Sequence, residues 1–164
     1  MKTIIEFLYD PQLQTQPVLD LIHQIEANAE SDPGMMQLYK FIIRGLEFLE
    51  RHGIPHVIHH YFTGIREDGR PYTIKMVKQL RNHVPLMEFR VNWEGTGAFR
   101  AVFFEYQHEG KQILIFPRAV VKQSTYDPDF ERIAREAEAI YHDFMTDQEK
   151  YITFFGGVED VPSQ

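Results

Sequence analysis

Hydrophobic positions in the first third of the chain follow two periods, one typical of a strand and one typical of helices. Residues 2–9, KTIIEFLY, are rich in β-branched and aromatic side chains and stop at the Asp10-Pro11 breaker, which predicts a first β-strand. From Pro17 the apolar residues recur every three or four positions, and the same spacing resumes after Asp32-Pro33. Because Gly53 is a suitable C-cap for the second stretch, we expect an antiparallel helix pair after the strand.

Residues 56–85 carry a weaker pattern than the segments on either side. HVIHHYFTGI allows a strand, REDGRP predicts a turn, and YTIKMVKQL is compatible with a strand or with a short helix. Regular alternation begins at Leu86–Trp93 and continues in Phe99–Tyr106 and Gln112–Lys122. Since only short glycine-containing loops separate these three runs, they predict an antiparallel meander.

The last periodic stretch predicts a C-terminal helix. Asp127 is suited to its N-cap and Pro128 to its first position, and acidic residues occupy the first turn. We expect one domain over residues 1–145 and a partly flexible C-terminal tail over residues 146–164. The order of elements predicts an α+β fold: the N-terminal strand and the meander form an antiparallel sheet, and the helix pair and the C-terminal helix pack against one face.

Composition supports a folded domain and restricts its setting. A chain of 164 residues with 43% hydrophobic residues is long enough to bury a core. No apolar run approaches the roughly 20 residues of a membrane span, and the N-terminus lacks the apolar centre of a signal peptide. The absence of cysteine excludes disulfides and thiolate metal sites and fits a reducing compartment. We therefore expect a cytoplasmic protein.

The charge of the chain is unevenly distributed. A net charge of −7 discourages nonspecific attraction to nucleic acid. From Pro71 to Lys122, however, eight basic residues stand against four acidic ones, so this segment carries +4 and the remainder −11. Such an asymmetry is compatible with a local anion site, and it also arises by chance in many domains.

A histidine cluster at His56, His59 and His60 suggests a metal site at first inspection. If the segment is a strand, His56 and His60 share one face while His59 points to the other, and no carboxylate follows at a spacing such as HExxH. We therefore expect exposed or paired histidines, and neither a metal nor another cofactor. No serine lies in a nucleophile elbow, and a hairpin turn explains Gly95-Thr96-Gly97.

Two arginines, Arg90 and Arg100, stand in the middle of otherwise apolar strands. A connecting loop of three or five residues would pair them on one face of the sheet, whereas a loop of four would place them on opposite faces. On a shared face they would repel each other unless an anion lay between them, and arginine suits bidentate phosphate binding. The alternative is neutralisation by the cross-strand carboxylates Glu88 and Glu105, and spacing does not decide between the two.

The second half of the chain contains EFRV, a turn, AFRAVFFEY and the strand QILIFPRAVVKQ, and a helix opened by Asp-Pro follows. This series of motifs resembles the RelE/HigB-type toxins of bacterial toxin–antitoxin systems. Together with the preceding helix pair, the resemblance covers roughly residues 1–145. It implies a RelE-like fold and a cytoplasmic toxin that inhibits translation as a ribosome-dependent mRNA endonuclease, without a metal or another cofactor. It also implies a cognate antitoxin, expected to be of the helix-turn-helix type, besides ribosome and mRNA as partners.

The resemblance further implies roles for individual residues. Arg100 matches the arginine that stabilises the phosphate, Arg90 the basic position of the preceding strand, and Lys122 a charge stabiliser or proton donor. Tyr126 is a looser match to a catalytic tyrosine. The residues expected to contact RNA are Lys78, Arg81 and Arg118. The alternative, motivated by the acidic body, is a catalytically inactive toxin-fold protein that acts as a binding or regulatory module.

Overall fold

The computed structural model describes residues 1–66, 68–93, 97–122 and 128–156. In chain order the elements are β1 (Lys2–Phe7), α1 (Pro17–Ala29), α2 (Pro33–His52), a short 3-10 helix (His56–His59), β2 (Phe62–Ile65), β3 (Pro71–Ile74), β4 (Val77–Gln79), β5 (Met87–Trp93), β6 (Gly97–His108), β7 (Lys111–Lys122), α3 (Pro128–Thr146) and α4 (Glu149–Ile152). The fold is α+β, and the predicted order of strand, helix pair, meander and helix is confirmed.

Five strands form the main sheet in the order β1-β7-β6-β5-β4, and β2 pairs with β3 in a separate two-stranded sheet. The meander β5-β6-β7 is antiparallel as predicted, and β4 adds an antiparallel edge. β1, however, runs parallel to β7, so the sheet is mixed and the prediction of a fully antiparallel sheet is wrong. A parallel neighbour needs a long crossover connection, which the chain between β1 and β7 provides, and side-chain alternation carries no information on strand direction.

Helices cover both faces of the main sheet, which corrects the expectation that they pack against one face. α1 and α2 pack on the side of Leu114 and Phe116, whereas α3 and α4 pack on the side of Ile113 and Ile115. The physical reason is the continuous apolar run in the central strand β7, because a strand buried on both faces needs apolar residues at successive positions. Each layer of helices therefore has its own hydrophobic core.

The weakly patterned segment 56–85 contains several short elements. His56–His59 forms a 3-10 helix, and the strand β2 begins only at Phe62. The β2–β3 sheet packs on α2 through Phe41, whose ring stacks on Tyr72 at 4.4 Å between centroids and meets Phe62 edge-on at 6.3 Å. This segment therefore forms a small additional sheet at the side of the domain.

The ends of α2 follow the sequence signals. Asp32 Oδ1 accepts hydrogen bonds from the backbone N–H groups of Gly34 (2.9 Å) and Met35 (3.3 Å), as expected of an N-cap. Gly53 ends the helix with a φ of 69°, and a Cβ there would lie 2.5 Å from Thr3 Oγ1, so glycine is required. The predicted N-cap Asp127 lies outside the described residues. Across the described ranges, no helix is long and apolar enough to cross a membrane.

The segment expected as a C-terminal tail is structured in its first part. α4 follows α3 closely, and Tyr151 is buried in the core that α3 forms with the sheet. Its hydroxyl donates a hydrogen bond to Asp143 Oδ2 on α3. Residues 157–164 lie outside the described ranges, so the expected flexibility of the end of the chain stays a prediction.

Candidate functional site

The strand register places Arg90 directly opposite Arg100. The ladder closes with Trp93 opposite Gly97, so three residues connect the strands, one of the lengths that puts both arginines on one face. Both lie on the α3 side of the sheet, because the residues that alternate with them fill the core against α1 and α2. The two guanidinium groups therefore project from neighbouring positions of one surface.

A β-bulge brings Lys122 to the same face. Phe103 of β6 stands opposite two residues of β7, Phe116 and Pro117, and a proline without an N–H is tolerated at such a position. The extra residue reverses the alternation of β7 beyond it. Without the bulge, Lys122 would point towards the core on the α1 and α2 side; with it, Lys122 lies one row beyond Arg100.

Arg100 is held in a defined orientation by two contacts. Its Nε donates to Glu88 Oε2, and its Cζ lies 3.6 Å from the centroid of the Phe130 ring on α3. Stacking on an aromatic face leaves the in-plane N–H donors of a guanidinium available for a ligand. The Nη1 and Nη2 groups of Arg100 donate to no other residue in the described part of the chain. The side chain remains 15% exposed.

Glu88 is the buried counterion of this face. It is 0% exposed, and besides Arg100 it has Lys78 nearby, with Nζ 3.5 Å from Oε1. Within the described ranges Oε1 accepts no hydrogen bond. The cross-strand neutralisation weighed from the sequence is thus present for Glu88 and Arg100, whereas Glu105 accepts a hydrogen bond from Gln112. Because Glu88 is enclosed and paired, it cannot reach a bound ligand in this conformation.

The remaining two cations of the face are more open. Arg90 donates through Nε to the backbone oxygen of Lys75 at 3.4 Å, and both Arg90 and Lys122 are partly exposed. No carboxylate of the described residues lies within 4.0 Å of the charged nitrogens of either side chain. We call Arg90, Arg100 and Lys122 the basic face. These side chains suit the binding of an anion. The Arg100 guanidinium is held in place, and no carboxylate of the described residues pairs with Arg90 or Lys122.

Arg118, expected to contact RNA, is engaged by protein carboxylates. Its Nη2 lies 2.7 Å from Asp10 Oδ2 and its Nε 2.9 Å from Glu136 Oε1, and the side chain is 14% exposed. Burial acts to raise the pKa of Asp10, but the hydrogen bond from Arg118 and those from the backbone of Leu13 and Gln12 outweigh it and lower the pKa. Arg118 therefore links the β1–α1 connection to α3.

Arg81, also expected to contact RNA, is exposed in the connection between β4 and β5. This connection is tied to α3 by His83, whose Nε2 lies 2.9 Å from Glu131 Oε1 and whose Nδ1 lies 3.0 Å from Glu138 Oε2. We call this arrangement the His83 clamp. Sequence reasoning missed it, because the three residues share no local motif. Tyr126, the fourth expected catalytic residue, lies outside the described part of the chain.

The histidine cluster forms a stack of imidazole rings. His52 and His56 are 4.7 Å apart between centroids, and His56 and His60 are 3.8 Å apart with nearly parallel planes. Partial desolvation and the neighbouring imidazoles of His60 and His52 lower the pKa of His56. Parallel stacking presents ring faces rather than nitrogen lone pairs to a neighbour. No group of three potential metal ligands occurs among the described residues.

Comparison of the chain with models of protein families, with curated proteins and with solved structures found no match. The resemblance to the RelE/HigB toxins therefore stays a prediction, carried by the sequence motifs alone.

Proposed function

We propose that this chain is a RelE/HigB-like protein that binds RNA by holding a phosphodiester on the basic face. The observation that carries the proposal is the position of Arg90 directly opposite Arg100, with Lys122 on the same face. Like charges directly opposite each other destabilise a sheet. Glu88 already neutralises the charge of Arg100, and a bound anion would balance the remaining charge of Arg90 and Lys122. A phosphate also suits the in-plane N–H donors that Arg100 retains above Phe130.

Binding is better supported than cleavage. Cleavage by the 2′-hydroxyl of RNA needs one group to accept its proton and another to protonate the leaving oxygen. Glu88 is the carboxylate next to Arg100, but it is fully buried and paired. Among the described residues, the geometry therefore supports phosphate binding and charge stabilisation better than it supports proton transfer. Our first candidate is an RNA-binding protein of toxin type without cleavage of its own, held by a cognate antitoxin.

The test is the binding of a fluorescently labelled single-stranded RNA, followed by anisotropy at several salt concentrations. In the double variant Arg90→Ala/Lys122→Ala, the slope of log K against log salt should fall by about 1.4, because each lost phosphate contact removes about 0.7. Lys40→Ala/Lys111→Ala, which removes two exposed cations outside the basic face, is the matched control. Equal salt slopes in the two double variants would refute the proposal.

Ribosome-dependent mRNA cleavage is the second candidate, favoured by the combination of Arg100 and Lys122 on one surface. Messenger RNA should be incubated with the protein, with and without translating ribosomes, and its new 5′ ends mapped. Cleavage that needs ribosomes and disappears in Arg100→Ala would replace the first candidate by the second. Because that variant also removes the Arg100 guanidinium from the buried Glu88, Arg100→Lys and a check of folding by circular dichroism accompany it. Induced expression should then arrest growth.

A further inference from the structure

Lys78 of β4 projects to the same side of the sheet as the basic face. It stands directly opposite Glu88 in the ladder between β4 and β5. The neighbours of Glu88 along β5, Met87 and Phe89, fill the core on the α1 and α2 side. Because side chains alternate along a strand and directly opposite residues share a face, Glu88 and Lys78 both point to the α3 side.

The ammonium group of Lys78 is accessible to a ligand. Its side chain is 49% exposed, and Nζ lies 3.5 Å from Glu88 Oε1. This ion pair includes no hydrogen bond, because Oε1 accepts none from the described residues. Within those residues Lys78 has no other polar partner, so the three N–H donors of its ammonium group are not used by the protein.

Glu88 cannot neutralise both of the cations that it contacts. Its Oε2 accepts the hydrogen bond from Arg100 Nε, which uses the single negative charge of the carboxylate, while Oε1 faces Lys78. The charge of Lys78 therefore remains, in addition to those of Arg90 and Lys122. A buried anion that holds one cation and leaves a second one exposed keeps this surface positive.

The acidic residues at the start of α3, the helix whose Phe130 packs on Arg100, have basic partners of their own. Asp129 Oδ1 lies 3.7 Å from Arg132 Nε, and Glu131 Oε1 lies 2.9 Å from His83 Nε2. The first turn of α3 therefore leaves neither of these carboxylates without a basic partner beside the cations of the sheet.

One cation lies on each strand from β4 to β7, in the order Lys78, Arg90, Arg100 and Lys122. The positions are staggered: Lys78 is level with Glu88, the two arginines stand two residues further along β5, and Lys122 is level with Asn92. With strands about 4.8 Å apart and a rise of about 3.3 Å per residue, the Cα atoms of Lys78 and Lys122 are on the order of 20 Å apart along a diagonal. One phosphate group cannot contact both ends of this line.

We infer that Lys78 is a fourth cation of the RNA site and that the ligand is a segment of single-stranded RNA that crosses the sheet diagonally from β4 to β7, with more than one phosphate held at once. This inference rests on the proposed function and deepens it, because it gives the ligand a direction and a minimum length. Arg100, which is held in place by Glu88 and Phe130, lies in the middle of the line, and the longer, more mobile lysine side chains lie at its ends.

The experiment measures the salt dependence of binding by anisotropy for two labelled oligoribonucleotides, a dinucleotide with one phosphodiester and an octanucleotide. In Lys78→Met, the slope of log K against log salt should fall by about 0.7 for the octanucleotide, because one phosphate contact is lost, and should keep the wild-type value for the dinucleotide. Lys78→Arg, which retains the charge, should behave like wild type with both ligands. Lys40→Met, at an exposed position of α2, is the matched control.

Circular dichroism checks that each variant is folded, and Lys78→Gln provides a second neutral variant whose amide can donate a hydrogen bond to Glu88 Oε1. A wild-type slope for the octanucleotide in both neutral variants would overturn the role of Lys78. An equal decrease for the dinucleotide and the octanucleotide would overturn the diagonal placement of the RNA. The proposed function has a separate test, because it fails only if Arg90→Ala/Lys122→Ala shows the same salt slope as Lys40→Ala/Lys111→Ala.

Discussion

The His83 clamp joins the connection before β5 to α3 through both ring nitrogens. Nε2 and Nδ1 lie 2.9 and 3.0 Å from carboxylate oxygens of Glu131 and Glu138. Because a neutral imidazole has only one N–H, both hydrogen bonds form only when His83 is protonated. Burial acts to lower the pKa of His83, but the hydrogen bonds to Glu138 and Glu131 outweigh it and raise the pKa. When His83 is protonated, the clamp is therefore a cation held between two anions.

Replacing His83 by glutamine should lower the free energy of unfolding at pH 6 by about 2 kcal/mol. A hydrogen bond to a charged group contributes about 1.5–3 kcal/mol. The expected loss of stability is smaller than the sum for two such hydrogen bonds. The side chains of Glu131 and Glu138 are 52% and 32% exposed, so water hydrates them again in the variant. For a chain of this size, about 2 kcal/mol corresponds to a decrease of roughly 4–8 °C in Tm.

The stabilisation should depend on pH with a defined sign. Since the pKa of His83 is higher in the folded than in the unfolded chain, the contribution is fully present below the unfolded pKa of about 6.5 and is lost as the pH rises through the folded pKa. Urea unfolding of wild type and His83→Gln from pH 5.5 to 9 measures it. The difference in unfolding free energy should be largest at the acidic end and decrease towards the alkaline end.

His23→Gln, at an exposed position of α1, is the matched control for the change of residue type. The clamp would be refuted if the difference in unfolding free energy between wild type and His83→Gln stayed constant or grew with increasing pH. Glu138→Gln provides a second check, because it removes one anion and should reduce the pH dependence of the wild-type clamp without removing the histidine.

Three further predictions concern other buried polar groups. Arg118→Met should lower the unfolding free energy by about 3 kcal/mol, measured by thermal unfolding, because it leaves the buried Asp10 without its guanidinium, whereas Glu136 keeps its ion pair with Arg132; an unchanged Tm would contradict the role of this ion pair. Glu88→Gln should lower stability by about 2 kcal/mol but increase RNA affinity in the anisotropy assay, since Arg100 then keeps its full positive charge; weaker binding would count against an anion site. Tyr72→Phe should cost about 1–2 kcal/mol through the hydrogen bonds lost at Asn92, and faster amide hydrogen exchange in residues 62–74 should accompany it.

Local sequence signals predicted the helices and the meander well, because their causes lie within a few residues. The N-cap of α2 needs only Asp32 and the two N–H groups that follow it, and its end needs only a glycine that tolerates a positive φ. The three strands of the meander follow from side-chain alternation and short loops. In residues 56–85 the apolar runs were too short for periodicity to separate strand from helix, and tertiary contacts with α2 decided the outcome.

The candidate site was predictable only in part. That Arg90 and Arg100 stand on adjacent strands follows from the sequence, and Pro117 is a signal that a bulge can occur in β7. Nothing local indicates that this bulge reverses the alternation and turns Lys122 to the side of Arg100. The orientation of Arg100 towards Glu88 depends in the same way on α3, because Phe130 of that distant helix stacks on the Arg100 guanidinium.

Local signals in the sequence were sufficient to predict β1, the helix pair, the meander and α3, their order, and an arginine in the middle of each of two neighbouring strands. These properties depend on side-chain periodicity and on caps, whose interactions span only a few residues. The tertiary structure decided the parallel direction of β1, the covering of both sheet faces and the partner of each arginine. These features depend on contacts between residues that are distant in the sequence. The ion pair of Arg118 with Asp10, for example, joins residues 108 positions apart. Such contacts contribute to stability only when the whole domain has assembled.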